Sequence, residues 1–327
     1  MNIQQPFFIT AMKRYIHMKK QITVIGSLNY DMILKVKRLP YEGETMAAEG
    51  ISTAAGGKGS NQAAQAAKLG VPTYLIGAVG NDSMGEFLIA EAKKYGIITD
   101  RVKIADCSSG LGLVHSLDDG SVHATIVRGA NYAVTREDID NNMDVIRNSG
   151  VIILQNEITP DTNLYIMEIA KDLDCKVILN AAPAEEIDQE HLALCDIVVV
   201  NEVEASFYCG REIKDLSSAM DAITISSELG NTWVFTLGSQ GSVIASNGRC
   251  EFVPSHHVKA IETTGAGDSY IGALGYALTE GMDVFEGGKF ATCCSAITVC
   301  GIGAQQSMPT LEQVEEFRSN LSKQSCF

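Results

Sequence analysis

The stretch VIILQNEITPDTNLYIMEIAKDLDCKVILNAAP, residues 151–183, carries two kinds of pattern in succession. VIILQNE begins as an unbroken apolar run and ends polar, TNLYIMEIAKDL reads as a helix, and KVILNAAP is apolar again. Continuous apolar strands separated by helices belong to a mostly parallel sheet covered on both faces. The rhythm continues outward. Downstream, DIVVVNEVEASFYCG (196–210) is a strand running into a helix, and TWVFTLGSQGSVIAS (232–246) is two strands. Upstream, QITVIGSLN is a buried strand, NQAAQAAKLG a helix closed by Gly70, TYLIGAVG a strand and MGEFLIAEAKKYG a helix.

Two segments break the rhythm. DMILKVKRLPYEGET reads as an edge strand that turns at Pro40 and Gly43. GLGLVHSLDDGSVHATIVRG reads as two alternating strands around an Asp119-Gly120 turn. Segments of about 31–54 and 110–128 are therefore expected to form a small β-lid on a single α/β body over 21–320. In such a body the cleft lies at the carboxyl ends of the parallel strands.

Composition narrows the function. The chain has 327 residues and a formal net charge of −15, which argues against a broad nucleic-acid surface. An anionic substrate needs a local positive site. Nine cysteines are scattered without C-x-x-C or zinc-like spacing, which suits a reducing compartment such as the cytoplasm. Cys293 and Cys294 lie in an apolar run and read as core. No run approaches transmembrane length. Residues 1–20, MNIQQPFFITAMKRYIHMKK, place their basic residues after the apolar ones, the wrong order for a secretory signal. They read as a disordered leader, or as sequence upstream of a true start at Met18.

Glycine-rich segments carry the candidate chemistry. In ETTGAGDSYIGALGYAL (262–278), Gly265-Ala266-Gly267 leads into Asp268 and then an apolar helix. Such a turn can aim successive N–H groups at an anion, helped by the positive end of the helix. Asp268 is then a general base for a hydroxyl that attacks phosphate, or simply a helix cap. AAGGKGSNQAA (54–64) is neither a Walker A loop nor G-x-G-x-x-G, yet Lys58 and Asn61 sit on a backbone suited to close approach. The alternative is a plain loop-to-helix turn. Asp31 in LNYD and Glu157 in LQNE end strands. Asn201 and Glu204 in NEVE share a helix-start face, either to hold water around Mg²⁺ or as a cap. TLGSQG (236–241) is a glycine turn suited to a nucleotide. The histidines His115, His123, His256 and His257 show no triad spacing and read as structural or exposed.

Taken together, GGKGSNQAAQAAKLG, ILNAAPA, VVNEVEA, TLGSQG and TTGAGDSYIGAL resemble, in order, the motifs of the ribokinase-like sugar kinases, from about Ile22 to Phe317. The resemblance implies a three-layer fold and transfer of the ATP γ-phosphoryl group, with Mg²⁺, to a primary sugar hydroxyl. LNYD, GGKGSNQA and GAQQSMP are closest to the members that act on D-ribose. By motif, Asn29, Asp31, Gly57, Lys58, Asn61 and Glu157 are implied on the sugar, and Asp268 as base beside a Gly265-Ala266-Gly267 anion hole. Asn201 and Glu204 are implied on Mg²⁺ and phosphate, and Thr236, Gly238 and Gly241 on the nucleotide. A K⁺ site is implied at Glu262, Thr264, Thr298, Gly301, Gly303 and Ser307, although Glu262 stands where Asp is common. A homodimer through the lid is implied as well. A kinase for deoxyribose, a nucleoside or a ketohexose is the near alternative. A non-catalytic sensor is disfavoured by the presence of both Asp268 and its glycines.

Overall fold

In the computed structural model of the chain, residues 20–117 and 122–324 are described. The expected leader, apart from Lys20, and the expected Asp119-Gly120 turn lie outside the described residues. A nine-stranded sheet runs in the order β13-β12-β11-β10-β9-β8-β1-β4-β5. Its strands are β1 (Ile22–Ile25), β4 (Thr73–Gly80), β5 (Val102–Ala105), β8 (Val151–Gln155), β9 (Lys176–Asn180), β10 (Ile197–Asn201), β11 (Thr232–Thr236), β12 (Gly241–Ser246) and β13 (Arg249–Pro254). All neighbours are parallel except β11–β12 and β12–β13. The apolar runs are buried on both faces because alternate residues feed two cores. Ile22, Val24 and Ile153 face one; Ile25, Ile152 and Leu154 face the other.

Helices cover both faces. Those that matter for the site are α1 (Lys58–Lys68), α2 (Glu202–Cys209), α3 (Ala266–Thr279) and α4 (Val284–Thr298). Every residue of α3 from Asp268 to Thr279 is buried, because the helix lies against the sheet, α1 and α4. That explains the apolar run after Asp268. Gly272 permits the close α1–α3 approach; a Cβ there would stand 2.4 Å from the Gln62 carbonyl oxygen.

A second sheet has the order β3-β2-β6-β7, built from β2 (Asn29–Val36), β3 (Gly50–Gly56), β6 (Gly110–Leu117) and β7 (Val122–Val127). One expectation fails here. β2 is an inner strand, paired antiparallel to β3 and parallel to β6, not an edge. Its lysines and half-exposed pattern reflect a thin sheet open to solvent, which local sequence cannot distinguish from an edge.

Candidate active site

Chain order reverses around β1: β4 and β5 extend one way, while β8 to β11 extend the other. In such sheets the crevice opens beyond the carboxyl ends at the reversal. Residues leaving those ends line up along it: Ser27 and Asn29 after β1, Glu157 after β8, Asn180 on β9, Asn201 on β10 and Thr236 on β11.

At the β1–β8 end the groups are carboxylates. Ser27 Oγ donates to Glu157 Oε2, which also accepts from the Lys58 backbone N–H at 3.1 Å. Asp31 enters from the small sheet between Gly56 and Gly112. Their missing side chains make its room, since a Cβ at either would lie 2.0 and 2.2 Å from its oxygens. Asn29 is held by Asn131, whose Nδ2 donates to Asn29 Oδ1 at 2.7 Å and whose Oδ1 accepts from Leu28 N. Asn131, a positioning residue here, carried no signal in the sequence.

Asp31 has its carboxyl pushed up to about 7, by burial first and then by repulsion from Glu157 and Asp268. Its ordinary value is 3.8, so between about pH 4 and 7 the folded chain keeps a proton that the unfolded chain loses. Stability from this group is present at acid pH and falls as pH rises through that window. Asp31→Asn should therefore raise the thermal midpoint by a few degrees at pH 8. The gain should be smaller at pH 5, and equal gains at both pH values would contradict the burial of this carboxyl.

Asp268 is buried at the first turn of α3 and is not the cap, which is Gly265 in the left-handed conformation. Both carboxylate oxygens are held by amides of α1. Asn61 Nδ2 donates to Oδ2 and Gln62 Nε2 to Oδ1, each at 2.9 Å. Gln62 Nε2 also donates to Asn180 Oδ1. A cavity of about 220 Å³ brings Lys58, Asp268, Gly265, Gly267, Asn201 and Glu204 together. Burial pulls the half-buried Lys58 ammonium down, but Asp268, Glu157 and Glu204 outweigh it, and the net shift is upward. Lys58 thus stays a cation in an acidic chain, the local positive site an anionic group requires. The expected anion hole is altered in one respect. The Ala266 N–H is already given to Thr263 O at 3.2 Å, whereas the amides of Gly265, Gly267 and Asp268 carry no partner among the described residues.

A larger cleft, about 420 Å³, adjoins this cavity and is lined by Asn201, Thr236, Gly238, Gly241 and Gly267, the residues expected on the nucleotide among them. His256 and His257 line it too; His257 is exposed, and His256 is half-buried against Phe317. His256 Nε2 lies 3.3 Å from Cys293 Sγ, and burial lowers its pKa. Asn201 and Glu204 form a capping box on α2. Asn201 Oδ1 accepts from the Val203 and Glu204 N–H groups, and Glu204 Oε2 accepts from Asn201 N. The cap alternative is therefore realised, while both residues still border the 220 Å³ cavity. Burial raises the Glu204 pKa. No cluster of three His, Cys, Asp or Glu suited to a metal occurs among the described residues. A single carboxylate fits a Mg²⁺ ion that keeps waters and takes most of its oxygens from phosphates.

The implied K⁺ positions come together only in part. The 301–307 loop folds onto Glu262, whose Oε2 accepts from Gly303 N at 2.9 Å, and Ser307 Oγ donates to Gly303 O. Gly301 packs against Ser307. An oxygen-rich loop with one carboxylate fits a monovalent cation. Thr298 departs from the set: its hydroxyl bonds Ser269 Oγ and Cys294 O, and its carbonyl accepts from Gly301 N. Thr264 is exposed on the loop.

With this geometry in hand, the comparisons with known proteins agree in direction. The profile of the pfkB family carbohydrate kinases matches residues 19–311. The chain is 33% identical over 303 residues to a ribokinase of Staphylococcus aureus (strain COL), covering 91% of this chain and 100% of that one. It is equally 33% identical over 301 residues to a deoxyribokinase of Salmonella typhi, covering 91% and 98%. The solved structure of Arabidopsis thaliana ribokinase complexed with ribose and ATP superposes with a TM-score of 0.84 at 34% identity, covering 91% of this chain and 98% of that one. With a family profile over residues 19–311 and relatives of this identity and coverage, on this sheet order, the chain is a ribokinase-like member of the pfkB family of carbohydrate kinases.

Proposed function

We propose that the protein transfers the γ-phosphoryl group of ATP to the primary hydroxyl of D-ribose, giving D-ribose 5-phosphate. The observation that carries this reading is the position of Asp268, clamped by Asn61 and Gln62 where the polar pocket meets the larger cleft. Asp268 takes the proton of the attacking hydroxyl, whose oxygen bonds the γ-phosphorus as ADP leaves. Lys58 and the amides of Gly265, Gly267 and Asp268 hold the charge that builds on the transferring group. Asp31 and Glu157 accept from sugar hydroxyls, and Asn29, whose Oδ1 is taken by Asn131, donates its Nδ2 N–H to one. Asn61, implied on the sugar, gives one N–H to Asp268, and its second N–H can still reach a hydroxyl. Glu204 would hold Mg²⁺, which when bound would supply charge neutralisation at the phosphates, and Glu262 with the 301–307 segment would hold K⁺. The small sheet acts as a lid that excludes water and, through its exposed Ile51, Ile126 and Val127, pairs two copies into a homodimer in the cytoplasm.

The deoxyribokinase relatives give a specific second reading, 2-deoxyribose as acceptor. ADP release measured over ribose, 2-deoxyribose, fructose and adenosine, with and without K⁺, separates the two. Ribose should give the highest kcat/KM. A preference for 2-deoxyribose would replace the primary reading, and ribose binding without any turnover would favour a sensor.

A further inference from the structure

Helix α1 buries an unusual row of polar side chains: Ser60, Asn61, Gln62 and Gln65 are each at most 7% exposed. Their orientations follow from one fact. The Asp268 carboxylate can only accept hydrogen bonds, so Asn61 and Gln62 must turn their NH₂ groups toward it. Each then presents an oxygen on the far side that needs a donor. For Gln62 that donor is Gln155, whose Nε2 lies 2.7 Å from Gln62 Oε1. For Asn61 it is Gln305, whose Nε2 reaches Asn61 Oδ1 and Ser60 Oγ at 3.0 Å each.

Gln305 sits in the short helix Ala304–Ser307, next to the Gly303 that bonds Glu262; it lines neither the 220 Å³ cavity nor the 420 Å³ cleft and is 3% exposed. Its backbone is pinned by Lys68, whose Nζ donates to the Gln305 carbonyl at 2.9 Å. Its own Oε1 has no partner. Turning the amide over would set that oxygen against Asn61 Oδ1, acceptor facing acceptor. Among the described residues the fold thus leaves Gln305 Oε1 unsatisfied, as it does Gln155 Oε1 in the same network, and keeps the donor on Asn61.

We propose that Gln305 is a positioning residue for the base: by donating to Asn61 Oδ1 it fixes which face of the Asn61 amide meets Asp268. The inference rests on the reading of Asp268 as general base. Without that donor Asn61 is free to flip, and its oxygen would then repel the carboxylate and displace it from the hydroxyl. A misplacement of this kind costs turnover more than binding.

Gln305→Met, which keeps the length but not the donor, should lower kcat by roughly tenfold to a hundredfold. KM for sugar and for nucleotide should stay within about twofold. In an Asn61→Ala background, adding Gln305→Met should change kcat little, because the intermediary is gone. Normal kcat in Gln305→Met, or the same loss in both backgrounds, would overturn the proposal, the latter marking a packing role only. Should Gln305→Met not fold, Gln305→Glu is read in the same cycle with the same expectation. Asp268→Asn tests the underlying reading separately, since its turnover says whether there is a base to position.

Discussion

Asp268→Asn is expected to lower kcat by roughly 10²–10⁴-fold while sugar and nucleotide still bind. The substitution is isosteric but removes the carboxylate to which the proposed mechanism gives the hydroxyl proton. It also reverses a local rule. Two amide NH₂ groups converge on the carboxylate, and an asparagine would bring a third, so Asn61 or Gln62 must turn over. A turned Gln62 would then break with Gln155 or Asn180. The loss therefore includes both chemistry and order. Calorimetry for binding and a coupled assay for ADP release separate them; turnover within tenfold of wild type would remove Asp268 from the role of base.

Gly57→Ala destabilises the fold by roughly 2–4 kcal/mol and takes most of the activity with it. Gly57 has φ +88 and ψ 128, a conformation L side chains avoid. A Cβ there would also lie 2.8–3.0 Å from the backbone of Ser27, Leu28 and Asn29. These contacts seat the start of α1 against the end of β1. Shifting that seat moves Lys58, Asn61 and Gln62 together, and with them the environment of Asp268. A urea midpoint equal to wild type would show that the loop absorbs the side chain without moving.

The order of effects differs between the two variants. One leaves the frame and removes a proton acceptor; the other leaves every catalytic group and moves its frame. Measured side by side, the first should show a large fall in kcat with only a small fall in midpoint, the second a low midpoint with KM and kcat both altered.

Much of this molecule is legible in local sequence. The runs VIIL, KVIL and IVVV require strands buried on both sides, and that requirement alone implies flanking helices and a crevice at the strand ends. The glycines before Lys58 mark a place where backbone must come close to something, and Gly56 and Gly57 do; before Asp268, Gly265 packs on Ala304 while Gly267 faces open space. NEVE reads as either cap or ligand because one side-chain geometry serves both; in the structure it caps α2 while facing the cavity.

What stayed hidden has one cause. Asn131 lies in no motif; Gln155, Asn180 and Gln305 lie inside LQNE, ILNAAPA and GAQQSMP, but nothing there marks what each amide bonds, and Gln62 meets Asp268 across 206 residues of chain. Ala266 turned its N–H to Thr263, and Thr298 turned its hydroxyl to Ser269, because nearer partners were available once the helices packed. Periodicity and turn chemistry act over a few residues, so the sequence by itself determined the elements, their buried faces and the end of the sheet that bears the cleft. Which buried donor meets which acceptor depends on how α1, α3 and the 301–307 loop settle against one another. That was decided only by the tertiary structure, where every buried polar group competes for the partners within reach.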